Sequence, residues 1–125
     1  VSLLADNAVG AVAALFLLMG VGALLAPGLV LRQFGVKALT KAGRNEVRAV
    51  YGGFGVAAGL ILLYADMTPA VREGVLLAVI AALLGMAAGR AFSFVTDRAV
   101  GLAPALYFIV EIAAAALLAL AAGGV

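Results

Sequence analysis

Long apolar stretches and short polar breaks alternate along this chain. Residues 8–26 form the first uninterrupted apolar run, which includes Phe16 and Met19 and stops at Pro27-Gly28. A helix of about 20 apolar residues spans the hydrocarbon core of a bilayer. A signal peptide is the rival reading, but no basic segment precedes the run. The chain opens on Val1 and not on Met, so its numbering is expected to begin inside a longer protein.

The longest polar connection follows. Leu29, Val30, Phe34 and Val36 alternate with Arg32, Gln33 and Lys37, which predicts a short amphipathic segment in the headgroup plane. Thr40, Lys41, Gly43 and Arg44 then read as an aqueous turn, and a solvated basic loop is the simpler reading of the whole connection. The second span is expected over residues 45–64, with Asn45 as N-cap and Glu46 at the positive end of the helix dipole. It carries Arg48 and Tyr51 early, then Gly52, Gly53, Gly55 and Gly59. After a tight turn, Thr68 is expected to cap and Pro69 to open the third span, residues 70–96. Pro104 fits the first turn of the fourth span, residues 103–122, whose tail is rich in Ala and Leu. Gly55-xxx-Gly59 and Gly85-xxx-Gly89 match the spacing that lets membrane helices approach closely, so all four glycines are expected to face other helices.

Composition fixes the solvent. Of the 125 residues 67% are hydrophobic and 11% charged, with mean hydropathy +1.28. One soluble domain of this length could not hide so much apolar surface from water. The expected fold is therefore all-α: one integral-membrane, antiparallel four-helix bundle with a short interfacial segment between helices 1 and 2. With four spans both termini share one side. The other side holds Arg32, Lys37, Lys41, Arg44, Arg48 and Arg98, whereas the terminal side has Arg72 beside Asp66 and Glu73. The positive-inside rule puts the basic side in the cytoplasm and the termini in the periplasm of a bacterial inner membrane.

The chain has no Cys and no His. That removes disulfides, thiol nucleophiles, His- or Cys-ligated haem, ordinary zinc sites and a His-based triad. No metal, cofactor or nucleophile–base pair is implied, and an enzyme is the third choice. The net charge of +2 gives no reason to expect nucleic-acid binding.

The candidate chemistry sits where polar residues interrupt the spans. Arg90, Ser93 and Asp97 are spaced i, i+3, i+7, so a helix places them on one face. Counting at 1.5 Å per residue sets Arg90 and Glu111 roughly 10–13 Å in from the turn that joins their helices. Glu46, Arg48, Tyr51, Ser93, Asp97 and Tyr107 fall nearer the same basic side. Charges at such depth face a partner or a wet cavity. Three readings follow. Arg90 and Glu111 pair to pin two helices together, in an accessory or structural subunit of a larger assembly. Alternatively, Glu46, Arg48, Tyr51, Arg90, Ser93, Asp97 and Glu111 line a cavity for a lipid, a quinone or another amphiphile, with an anionic or polar head group. In the third, Glu111 titrates on an ion path, for which the far side offers no relay. Expected partners are membrane lipids, an amphiphilic ligand, and a partner membrane protein or a second copy.

The stretch from Asn45 through Glu46, Arg48, Ala49 and Tyr51 to Gly52-Gly53, with Gly89-Arg90-Ala91-Phe92-Ser93, Asp97 and Glu111, resembles a family of small bacterial membrane proteins known as a four-helix domain of unknown function. The resemblance covers almost the whole chain. In that family the Asp after the third span is typically followed by Gly, where this chain has Arg98. More distantly the family is similar to DoxX-like four-helix membrane proteins, some of them tied to quinone or sulfur redox chemistry.

Overall fold

The computed structural model describes residues 2–123. Helix α1 is Ser2–Leu25, the short α2 is Pro27–Arg32, and α3 runs over Lys41–Asp66. Helices α4, Pro69–Thr96, and α5, Leu102–Ala121, complete the chain. No strand occurs among the described residues. All but α2 are long and apolar enough to cross a membrane. Large apolar side chains such as Phe92, Val95, Leu102 and Ile109 point outward, which suits lipid as the solvent.

The four long helices form a ring. Helix α1 packs on α3 and α5, α4 packs on α5, and α3 meets α4 chiefly through Phe54–Asp66. The core of Val9, Val12, Phe16, Leu62, Leu76, Leu83 and Leu118 fills the half of the ring nearest the termini. Toward the basic end α3 stays on α1 and diverges from α4.

Helix α3 starts earlier than the sequence pattern predicts. Thr40 is its N-cap, and the Thr40 hydroxyl accepts the Gly43 N–H at 3.0 Å. Asn45 therefore lies inside the helix and caps nothing. The stretch that reads as an aqueous turn supplies the first helical turn, because one hydroxyl satisfies a donor that the helix end would leave orphaned. Thr68 is also corrected: it occupies the N-cap of α4 without a side-chain cap bond, while Pro69 is at the helix start as expected.

Within α3, Arg48–Gly53 is a π-helical segment in which the Phe54 N–H reaches back five residues to the Ala49 carbonyl. The glycines beside it hold α3 against α1. A β-carbon built on Gly55 would sit 2.9 Å from the Gly20 Cα and 3.1 Å from the Phe16 carbonyl oxygen. One on Gly59 would sit 2.9 Å from the Ala13 carbonyl oxygen. Gly55 and Gly59 thus face another helix, as expected. Gly85 and Gly89 do not: both are exposed, with nothing within 4 Å of a built β-carbon. Their spacing permits contact, but α4 turns these glycines away from its partners; Gly89 faces a cavity instead.

Gly35 ends the α2 region in a Schellman turn. Its φ is +85°, the Val36 N–H reaches the Leu31 carbonyl at 3.2 Å, and the Gly35 N–H reaches that of Arg32 at 3.1 Å. Arg98, after α4, has φ +61°. Glycine adopts that left-handed conformation freely, and Arg does so at a steric cost.

Candidate functional site

Arg90 on α4 and Glu111 on α5 meet directly. The Arg90 Nε donates to Glu111 Oε1 at 2.9 Å and to Oε2 at 3.0 Å. Glu111 is 6% exposed and is the buried charged residue among those described. The short Asp97–Leu102 connection makes α4 and α5 antiparallel neighbours, so both residues fall at one depth.

Aromatic rings close over the guanidinium. Its central carbon lies 5.4 Å from the Tyr107 ring centroid and 6.0 Å from that of Phe34. The two rings are 5.4 Å apart and tilted. The Tyr107 hydroxyl is bonded in turn to the Gln33 side chain, 3.2 Å from Nε2 and 3.3 Å from Oε1. Tyr107 stands one helical turn from Glu111, which places ring and carboxylate on one face of α5. Gln33 and Phe34 stand at the end of α2, immediately before the Gly35 turn. The short segment expected between the first two spans is present as α2 and the turn after it, but these two side chains reach the bundle.

Above the ion pair lies a cavity of ≈ 1310 Å³ in the basic half of the ring. Its apolar wall includes Leu15, Leu18, Met19, Val50, Phe54 and Met86, and its polar groups are Gln33, Tyr51, Arg90, Ser93, Tyr107 and Glu111. The π segment contributes Ala49, Val50 and Tyr51 to this wall. A π segment changes helical phase locally and is often found at functional sites. Here it turns Tyr51 to the cavity while Gly52 stays buried against Leu24.

Of the seven residues expected to gather here, Tyr51, Arg90, Ser93 and Glu111 line the cavity. The other three do not. Arg48 donates from Nε to the Leu24 carbonyl at 2.9 Å, tying α3 to the last turn of α1. Asp97 is exposed and accepts the Ser93 hydroxyl at 3.3 Å. Glu46 is exposed, away from the cavity wall. Depth along a helix is what selects these three, and depth leaves the angle around the helix unspecified. Sequence reasoning misses Gln33 and Phe34 as site residues, and the Gly35 that turns the chain there is the available signal. Among the described residues no group of three or more His, Cys, Asp or Glu could hold a metal ion.

The family model described as Domain of unknown function (DUF4345) matches residues 5–122. The chain belongs to that family. The match takes in nearly all of α1 and every later helix, so the DUF4345 unit contains both the ion pair and the cavity. No curated protein and no solved structure matches the chain.

Proposed function

We propose that this small multi-pass membrane protein binds a membrane amphiphile, a lipid, a quinone or a similar molecule, in the basic half of its bundle. The carrying observation is a cavity of ≈ 1310 Å³ whose wall is apolar and whose polar groups converge at Arg90, Tyr107 and Glu111. An apolar wall with a few convergent polar groups suits a tail and a head group respectively. The distant likeness to DoxX-like proteins adds quinones to the ligand classes worth assaying. The reading is non-enzymatic.

A second reading makes the pair structural and the protein an accessory subunit or homo-oligomer. It draws on the closed 2.9 Å ion pair and on Gly85, which faces open space. Gly89→Leu separates the two. A β-carbon there meets nothing within 4 Å, so a leucine is accommodated by occupying cavity space. The expected result is the unfolding midpoint of delipidated wild type, since bound amphiphile itself stabilises the fold, together with loss of the amphiphile that mass spectrometry detects in organic extracts of the purified wild type. An identical extract from variant and wild type would count against the binding reading.

The charge distribution, independently of the site, supports an orientation. Lys37 and Lys41 face the cytoplasm of a bacterial inner membrane and the termini face the periplasm, on the charge asymmetry of the two sides. Reporter fusions at the C-terminus and at Thr40 decide this. A cytoplasmic reporter active at the C-terminus overturns it.

A further inference from the structure

The geometry points to a ligand with an uncharged, hydrogen-bond-accepting head group, and away from an anionic lipid; this rests on the amphiphile-binding reading above. Charge balance carries it. Arg90 and Glu111 are the charged residues of the cavity wall, and they neutralise each other at 2.9 Å. An anionic head group beside Arg90 would also stand beside Glu111 and leave one net negative charge in a largely apolar space. Burying an uncompensated charge is costly. The other cations of the basic side do not compensate: none of Arg32, Lys37, Lys41, Arg44, Arg48 and Arg98 lines the cavity, Arg48 being held on the Leu24 carbonyl and Arg44 on the Leu39 carbonyl.

The groups still available at the ion pair are donors. Both bonds to Glu111 leave from the Arg90 Nε, so these bonds use none of its terminal N–H groups. The Arg90 side chain is 24% exposed and lines the cavity. The Ser93 hydroxyl is turned onto Asp97 and the Tyr107 hydroxyl is engaged by Gln33. A carbonyl or ester oxygen fits the terminal guanidinium nitrogens without disturbing the charge balance.

The test uses a matched pair of probes, 1-monooleoylglycerol and its 3-phosphate, 1-oleoyl-lysophosphatidic acid. Each is titrated into the full chain in neutral detergent and followed by native mass spectrometry. The wild type is expected to prefer the uncharged probe by roughly tenfold or more, and Glu111→Gln, which leaves Arg90 unneutralised, to reverse the preference. Equal affinity, or preference of the wild type for the phosphate, overturns the head-group inference while leaving amphiphile binding intact. Saturable binding of neither probe overturns the amphiphile reading itself. A folded Glu111→Gln with the wild-type preference overturns the charge-balance argument. If that variant does not fold, the wild-type ratio decides alone.

Discussion

Arg90→Ala is expected to lower stability by about 3–5 kcal/mol, the cost of breaking a buried pair from one side. The size follows from which partner is left behind. Glu111 is 6% exposed and takes both of its side-chain bonds from Arg90, so the truncation strands a carboxylate in an apolar wall. Glu111→Ala should cost less, about 1.5–3 kcal/mol, the range for losing a hydrogen bond to a charged group. The stranded Arg90 keeps a side chain 24% exposed to the cavity and its contacts with Tyr107 and Phe34. The double variant should recover part of the larger loss, because no charge then remains unpaired. Unfolding midpoints in detergent for the four proteins of this cycle supply the measurement. Strictly additive losses would mean that the pair contributes nothing as a pair.

Gly55→Leu should have the next largest effect, about 3 kcal/mol, at the upper end of the usual cost of overpacking. Its side chain would enter a space bounded by backbone, the Gly20 Cα at 2.9 Å and the Phe16 carbonyl oxygen at 3.1 Å. No rotamer change can relieve a clash with another helix's main chain, so α1 and α3 must separate. Separation would move Tyr51 and the π segment, and so deform the cavity as well. Gly85→Leu is the matched control and should be neutral, since its β-carbon meets nothing. Equal midpoints for the two variants would show that α1 and α3 do not pack through these glycines.

The contrast between these glycine pairs shows how far a spacing rule reaches. Gly55-xxx-Gly59 and Gly85-xxx-Gly89 have the same sequence signature, yet the first lies against α1 and the second lies open. Spacing says that two small residues share a helix face. It does not say which way the face turns. The polar residues behave alike. Arg90 and Glu111 are legible as a pair because two charges deep in apolar spans have few ways to be satisfied, and a short turn makes their helices neighbours. Glu46, Arg48 and Asp97 lie near the interface, where water offers an alternative to the cavity and nothing compels convergence.

Solvent, number of spans, antiparallel order and depth of the ion pair can all be read from the chain before it folds. Each is a one-dimensional property, set by run length, hydropathy and rise per residue. The angle at which each face points belongs to the folded bundle. So does the path of the connection between the first two spans: Phe34 lies over Arg90 and Gln33 bonds Tyr107, just before the chain turns away at Gly35 with φ +85°. Folding also puts the core in the terminal half of the ring, while α3 and α4 diverge in the other. The physical reason is that rotation about a helix axis is settled by packing between helices far apart in sequence, and lipid-facing and partner-facing apolar residues read the same in the chain.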